Sequence, residues 1–457
     1  MSRKKALTTL SLTMINVAAI ASLRNLPVMA IHGFQLIFYL ALASIFFFLP
    51  TALIAAELVA HYPEEGGIYV WVRKAFGKQV GFLAVWLQWI GVVIWYPTSL
   101  VFVAATLGMV IYPPLAENPA FIFSVVTLFF WVCTWINFRG MEVSGRITTW
   151  GVIAGTLIPG GTIILLGLTW WLRGNPLEIT TGWSALFPSH LISGHIPLLC
   201  GIAVSFVGME MSEVHATDVA KPQKTYPMAI LASTLAIFGI YALGSLAIAF
   251  VLPPDTLSLT SGLISAFHAF LAAYGMLWLK PYLALLMIIG VLTGISTWIV
   301  GPSRGLMIAA REGHLPKLLQ KRNGAHMPVN IMILQAVIVT LLTSAFLFMP
   351  SVHTAFILLT VLGSQVVMVM YALMFIAAIK LRMERRSKAK LFQVPSRFGL
   401  WLTAVLGLIG TSTMFTLGFF PPDGVNVVAY EASLWIAKLL CIAFPFIYHQ
   451  FNKTRLS

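Results

Sequence analysis

The segment AIASLRNLPVMA, residues 19–30, places a charged residue and a helix-breaking residue inside a stretch that is otherwise apolar. Arg24 lies at the centre of this stretch, and Asn25 and Pro27 follow it. A charge buried at such a depth costs about 2.5–3.5 kcal/mol even on insertion scales, so it persists only beside a partner or in a watery cavity. Proline also interrupts the hydrogen-bonding pattern of a helix. The segment therefore predicts a membrane helix that is broken next to a polar cavity.

The composition of the chain defines its class. Of the 457 residues, 59% are hydrophobic and 9% are charged. A soluble domain carries about 25% charged residues, so this chain lacks the polar groups that would cover a globular surface. Many of its apolar runs exceed the roughly 18–20 residues that cross a hydrocarbon core. The sequence predicts an all-α polytopic membrane protein embedded in a lipid bilayer.

Apolar runs separated by turns rich in proline, glycine and polar residues predict twelve membrane spans, which we number 1 to 12 in chain order. The run LISAFHAFLAAYGM, residues 263–276, is also consistent with a short additional helix before span 8. The predicted spans cover residues 8–32, 35–61, 80–112, 119–138, 147–171, 194–215, 227–252, 277–307, 328–349, 354–381, 398–420 and 430–451.

Basic residues indicate the orientation of these spans in the membrane. They concentrate in alternate loops, beginning with the segment before span 1, whereas the other set of loops holds Arg173 and Lys280 at most. Loops on the cytoplasmic side of a membrane carry the excess of lysine and arginine, so both termini are expected in the cytoplasm. The net charge of +14 follows from this asymmetry and requires no nucleic-acid partner.

Span 6 contains an interruption like that of span 1. Its segment AVSFVGMEMSEVH, residues 203–215, crowds glycine, serine and glutamate residues into an apolar span. Broken helices at corresponding positions of two halves are the sequence sign of an inverted-repeat transporter, in which the substrate is held between the breaks. Two kinked helices with polar packing residues are the alternative.

An inverted repeat would divide the chain into parts with predictable bounds. Spans 1–5, about residues 8–171, would be repeated with opposite topology by spans 6–10, about residues 194–381. In this arrangement the breaks of spans 1 and 6 face each other near the middle of the membrane. Two extra helices, about residues 398–451, complete a single transmembrane domain over residues 1–457.

The chain carries no sequence sign of an enzyme or of a metal site. It has no HExxH, P-loop or GxSxG motif. Its three cysteines, Cys133, Cys200 and Cys441, lie in apolar runs without the spacing of disulfide partners or metal ligands. We therefore expect neither catalytic residues nor a cofactor.

Three motifs are similar to those of a known family. They are PEEGGIYVWVRKAFG at residues 63–77, SFVGMEMSEVHATDVAKPQKTYPMAI at 205–230 and GISTWIVGPSRGLMIAAREGHLPKLL at 294–319. Together they closely resemble the amino acid–polyamine–organocation transporters, and more narrowly the bacterial glutamate/γ-aminobutyrate antiporters. The resemblance implies a LeuT-type fold with broken helices 1 and 6, located in the bacterial inner membrane. It also implies alternating-access transport of amino acids, commonly by exchange.

The resemblance also implies substrate-binding residues at the two breaks and on span 8. Helix ends at the breaks leave backbone N–H and C=O groups free, and these would bind the carboxylate and the ammonium of the substrate. A glutamate of span 6 and a tryptophan of span 8 match residues at the same positions of the antiporters. These candidates are Ala21, Ser22, Phe206, Val207, Gly208, Glu210 and Trp298.

The chain departs from the antiporter pattern in ways that bear on the substrate. It has RNLP at residues 24–27 where the antiporters carry a Tyr-Glu-Tyr-Pro-like run, and Gly294 where they have a polar residue in span 8. It also stops at Ser457, whereas the acid-sensing antiporter has a long tail that plugs its inward mouth. We therefore expect amino-acid transport to carry over, but not glutamate as the substrate or pH gating by a tail.

Arg24 completes the candidate substrate site, and two roles remain open for it. It either forms a permanent ion pair with Glu210, on the span that the inverted repeat places opposite, or it faces the substrate. In the second role its charge would disfavour cationic substrates and favour neutral or acidic amino acids.

The leading functional hypothesis is an amino-acid exchanger. A proton-coupled amino-acid importer and a transport-incompetent sensor with the same fold are the alternatives. A sensor would normally carry a sizeable soluble output segment, and the longest internal cytoplasmic stretch is only about residues 312–327. This favours transport. The sequence predicts no oligomeric state.

Overall fold

The regular secondary structure of the described residues is helical throughout. The computed structural model describes residues 8–64, 66–140, 150–188, 196–210, 222–349, 351–384, 391–421 and 426–456.

Ten helical segments within this part of the chain are long and apolar enough to cross a membrane. They confirm the predicted spans 2–5 and 7–12, with bounds that agree to within a few residues except where span 8 continues to His314. They are Gly33–His61, Lys78–Ile111, Pro119–Asn137, Trp150–Leu172, Met228–Val251, Leu277–His314, Val329–Phe348, Val352–Glu384, Arg397–Leu417 and Val427–Ile447.

Span 1 is interrupted where the sequence places its polar residues. The helix Thr9–Ile20 ends at Ala21, and Ser22 has an extended backbone with φ −102° and ψ 118°. Helical structure resumes with a 3₁₀ turn, Leu23–Asn25, and a short α-helix, Leu26–Ala30. Pro27 falls in the first turn of that helix, where a missing N–H group costs nothing.

Span 6 is also interrupted. Its helix Ile196–Val204 gives way to turns at residues 205–208, where Gly208 has a φ of +128°. A non-glycine residue rarely adopts that conformation, so the glycine is required for the path of the chain. Ser212 and Glu213 lie outside the described residues. The twelve-span count and the inverted repeat therefore stay predictions.

A short helix precedes span 8, as the sequence suggested. It covers Gly262–Ala273 and is separated from span 8 by a turn at Gly275 with a φ of +68°. The motif PEEGGIYVWVRKAFG likewise forms a short helix, Ile68–Phe76, which begins after Gly66 and Gly67, both with positive φ.

Span 3 lies at the centre of the helical assembly, and spans 11 and 12 lie at its edge. The most apolar part of span 3 is 83% buried, against 28% for span 11 and 17% for span 12. The large side chains Trp89, Tyr96 and Phe102 of span 3 are fully buried. A helix that is apolar on all sides is expected in the interior.

Spans 5 and 8 approach each other closely beside the centre. A Cβ atom placed on Gly155 would lie 2.1 Å from the backbone nitrogen of Gly290, and one placed on Gly151 would lie 2.0 Å from Oγ1 of Thr293. Small residues four positions apart let two helix backbones meet in this way.

A buried ion pair between Glu57 and Arg382 connects the end of span 2 to the end of span 10. Arg382 donates to Oε1 of Glu57 at 2.5 Å, and the backbone N–H of Val394 donates to Oε2 of the same carboxylate at 2.8 Å. Arg382 also donates to the carbonyl oxygen of Val394 at 3.1 Å. The segment that leads into span 11 is thus held against spans 2 and 10.

Candidate functional site

A cavity lies where the breaks of spans 1 and 6 meet. Together with the space open to solvent at its mouth it encloses about 900 Å³. Span 1 contributes the continuous stretch 19–25, span 6 contributes Val204, Ser205 and Val207, and spans 3, 5, 8 and 10 complete the wall. The polar interruptions that the sequence shows in spans 1 and 6 are therefore brought together in space.

The break of span 1 presents unpaired backbone donors to this cavity. The N–H groups of Leu23 and Arg24 begin the helical segment that follows the break, and they have no hydrogen-bond acceptor among the described residues. Both residues line the cavity. Free N–H groups at the start of a helical segment favour a negatively charged group.

Arg24 is buried at the cavity wall without a carboxylate partner in the described part of the chain. Its side chain is 6% exposed, and its Nε atom has no hydrogen-bond partner. The guanidinium lies 4.9 Å from the ring centre of Trp95 in span 3, within cation–π distance. Arg24 is also the one charged side chain among the described residues that line the cavity.

Glu210 does not pair with Arg24. The hydroxyl of Tyr371 in span 10 donates to Oε2 of Glu210 at 2.5 Å, and the side-chain amide of Gln88 in span 3 donates to Oε1 at 3.4 Å. The backbone N–H of Gly208 donates to the same tyrosine hydroxyl at 3.2 Å. The carboxylate thus binds neutral donors behind the cavity wall, and the permanent pair considered from the sequence is not formed.

Trp298 lies against both breaks. Its indole Nε1 donates to the carbonyl oxygen of Ala19 at 2.9 Å. A Cβ atom placed on Gly208 would lie 2.9 Å from Cζ2 of the indole, so the ring covers this glycine. The ring also lines the cavity, with its centre 6.0 Å from that of Trp95.

The residues predicted from the sequence fall into two groups. Ala21, Ser22, Arg24, Val207 and Trp298 line the cavity.

Phe206, Gly208 and Glu210 lie behind its wall. Phe206 is fully buried and stacks on Phe48 of span 2, with ring centres 4.6 Å apart. The side chains of Phe206 and Glu210 therefore do not face the cavity, and Gly208 is not part of its lining.

Tyr241 of span 7 was missed by the sequence reasoning. Its hydroxyl bonds to the carbonyl oxygen of Ile20 and lies 2.9 Å from that of Ser205. The N–H of Ser22 and the side-chain amide of Asn25 donate to the same hydroxyl at 3.3 and 3.1 Å. A lone tyrosine in an apolar span carries no pattern that points to such a role.

Known proteins resemble the chain along most of its length. A family model described as amino acid permease matches residues 7–444. An uncharacterized transporter of Legionella pneumophila subsp. pneumophila is 41% identical over 451 residues, which is 97% of each chain.

Two relatives with described transport roles are more distant. A glutamate/gamma-aminobutyrate antiporter of Lactococcus lactis subsp. lactis is 29% identical over 440 residues, which is 94% of this chain and 87% of the antiporter. A probable agmatine/putrescine antiporter of the same subspecies is 26% identical over 303 residues, which is 66% of this chain and 63% of that antiporter.

Proposed function

Because the chain belongs to the amino acid permease family, whose model matches residues 7–444, we propose that it is a secondary transporter that exchanges amino acids by alternating access. The observation that carries this proposal is the cavity at the meeting point of the two breaks, because carriers with broken helices bind their substrates there. The antiporter names of the more distant relatives support exchange.

The fold we propose is the LeuT-type arrangement of five plus five spans, followed by two further helices. The pairing of an interrupted span 1 with an interrupted span 6 supports it, as do the ten described spans between and after them. The distribution of basic residues supports cytoplasmic termini. The bacterial sources of the transporter relatives support a bacterial inner-membrane location.

We propose that the substrate carboxylate binds at the break of span 1. The free N–H groups of Leu23 and Arg24 are the donors that this carboxylate would meet, and the guanidinium of Arg24 would face the substrate side chain. Hydrogen bonds between charged partners are stronger than those between neutral ones. The ammonium group would lie against the ring of Trp298 and beside backbone carbonyls, since the described lining holds no acidic side chain and Arg24 occupies the ring of Trp95.

The positive charge of Arg24 in the cavity lining would favour some amino acids as substrates over others, according to their own charge. A cationic substrate would add a second positive charge to a cavity whose one described charge is that of Arg24. An acidic amino acid would instead compensate that charge with its side-chain carboxylate, and a neutral one would leave the guanidinium over the ring of Trp95. We therefore propose neutral or acidic amino acids as substrates.

A proton-coupled importer is the second candidate. The buried carboxyl of Glu210 has two neutral partners, Tyr371 and Gln88, and such a group can take up a proton without losing an ion pair. This candidate uses the same cavity and differs only in the coupled species.

The test is uptake into proteoliposomes with a panel of labelled acidic, neutral and basic amino acids. An exchanger takes up label only when unlabelled amino acid is present inside. Uptake into empty vesicles that requires an inward proton gradient supports the importer instead. If no amino acid is taken up under either condition, the transport proposal is wrong.

Arg24→Ala tests the role of the charge. Loss of a charge-assisted bond worth about 1.5–3 kcal/mol should weaken acidic substrates by roughly ten- to a hundredfold, while basic substrates are unchanged or improved. Arg173→Ala is the matched control, because Arg173 also lies over an aromatic ring, that of Tyr274 at 5.1 Å, but outside the cavity. Equal losses for acidic, neutral and basic substrates would contradict a role in selection.

A further inference from the structure

The Tyr241 hydroxyl has more hydrogen-bonding neighbours than one state can satisfy. A phenol hydroxyl has one proton to donate and two lone pairs that accept. The N–H of Ser22 and the amide of Asn25 occupy the lone pairs. The carbonyl oxygens of Ile20 and Ser205 are then left to compete for the single proton.

The two competing carbonyls belong to different breaks. Ile20 ends the first helix of span 1, and Ser205 follows the helix of span 6. The carbonyl of Ile20 also accepts the N–H of Ser22 at 2.8 Å, so it keeps a partner when the tyrosine proton turns to Ser205. The N–H of Ser22 is thus shared between this carbonyl and the tyrosine hydroxyl, so turning the proton to Ser205 leaves the Ile20 carbonyl bonded.

Packing holds the tyrosine at this position. Its side chain is fully buried, and its ring meets that of Phe206 edge to face with centres 5.5 Å apart. Tyr371 is different, because its hydroxyl bonds to Gly208 and Glu210, which both belong to span 6. Tyr241 thus bonds across the two breaks, from a span that is itself continuous through the helix Pro222–Val251.

We propose that Tyr241 is a positioning residue for transport, which couples the break of span 1 to that of span 6 through its hydroxyl. When the two breaks shift relative to each other, the proton turns from one carbonyl to the other, so the hydroxyl keeps a hydrogen bond to one of the breaks throughout the shift. This inference rests on the proposed transport function. It concerns how the site rearranges, not which substrate it binds.

The first test does not require transport. Hydrogen–deuterium exchange is measured on purified wild-type protein and on Tyr241→Phe, which keeps the ring and removes the hydroxyl. Loss of a hydrogen bond worth roughly 1 kcal/mol should raise amide exchange about fivefold at both breaks, in peptides that contain residues 21–25 and 205–210. Faster exchange at one break alone, or at neither, overturns the coupling.

Tyr430→Phe is the matched control. The Tyr430 hydroxyl is also buried and donates to a backbone carbonyl, that of Gly418 at 3.1 Å, but at the edge of the assembly. This variant should leave exchange at both breaks unchanged. If it accelerates exchange there as much as Tyr241→Phe does, the effect is general destabilisation and the proposal fails.

The second test is the kinetics of amino-acid exchange in proteoliposomes. Tyr241→Phe should lower the maximal exchange rate about tenfold, while the half-saturating substrate concentration changes less than about threefold. If wild-type protein shows no amino-acid flux in vesicles, the proposed function is wrong. The hydrogen–deuterium exchange test would then still decide the role of Tyr241. If the wild type is active and Tyr241→Phe exchanges amino acids at the same maximal rate, the inference about Tyr241 is wrong while the proposed function stands.

Asn25→Ala provides a second variant if Tyr241→Phe does not fold. It removes one donor to the hydroxyl and leaves the tyrosine in place. It should also accelerate amide exchange at both breaks, and combining it with Tyr241→Phe should add little, because both act through one group. Acceleration confined to span 1 would show that the hydroxyl does not connect the breaks.

Discussion

The indole of Trp298 in span 8 is hydrogen-bonded to the carbonyl oxygen of Ala19 in span 1, with 2.9 Å between the nitrogen and the oxygen. That carbonyl lies one residue before the helix Thr9–Ile20 ends, so the bond fixes the last turn before the break. The same ring covers Gly208 at the other break. Span 8 thereby contacts both interrupted spans through one side chain.

Trp298→Phe should weaken transport without unfolding the protein. It keeps an aromatic ring over Gly208 but loses a hydrogen bond worth roughly 1 kcal/mol, which should raise the half-saturating substrate concentration about fivefold. The measurement is concentration-dependent exchange in proteoliposomes. Trp170→Phe removes a bond of equal length to the carbonyl of Pro176, outside the cavity, and should have no effect. Similar losses in both variants would assign Trp298 to stability alone.

Gly208→Ala should abolish exchange while the protein still assembles. The new Cβ would lie 2.9 Å from Cζ2 of Trp298, and a φ of +128° is strained for any residue with a side chain. Flux and yield after size-exclusion chromatography are the two measurements. Gly239→Ala, on span 7 with open space around it, should leave both unchanged. A fully active Gly208→Ala would mean that the break of span 6 tolerates a different path.

Gly155→Ala should destabilise the contact between spans 5 and 8. Its Cβ would overlap the backbone of Gly290, and overpacking a tight site typically costs about 1–3 kcal/mol. The thermal unfolding temperature of the purified protein is the measurement. Gly161→Ala lies on the same span with nothing within 4 Å and should be neutral. Equal unfolding temperatures for the two variants would show that the helices can separate freely.

Glu57→Gln and Arg382→Met should each destabilise the protein by about 3–5 kcal/mol, because each leaves a buried charge or its hydrogen-bonding groups without a partner. The double variant should cost much less than the sum of the two. Lys380→Met is the control, since the pair of Lys380 with Glu384 is exposed and worth less than about 1 kcal/mol. Additive losses in a double-mutant cycle would contradict a coupled pair.

The sequence was sufficient for the spans because their apolar runs are long and are separated by clear turns. Prediction and structure agree for spans 2–5 and 7–12. The interruptions of spans 1 and 6 were also predictable, since buried arginine, proline and glycine conflict with a continuous apolar helix. The cavity between them is the spatial consequence of these two local features.

The partners of individual side chains could not be predicted in this way. Glu210 was considered for Arg24, yet it binds Tyr371 and Gln88, neither of which lines the cavity. Trp95 provides the described contact of Arg24 instead. Contacts between residues on different spans depend on helix rotation, which hydrophobic pattern alone does not determine in spans that are apolar on every side.

The arginine in span 1 also has a consequence for biogenesis. An arginine near the middle of a nascent segment adds about 2.5–3.5 kcal/mol to its insertion free energy, more than several leucines recover. The next segment to leave the ribosome is the apolar helix Gly33–His61, which is separated from Ala30 by only two residues. We therefore expect spans 1 and 2 to insert together, as a hairpin in which the favourable insertion free energy of the second helix offsets the cost of the first. The residue that gives the cavity its charge thus makes the opening step of membrane integration depend on its neighbour.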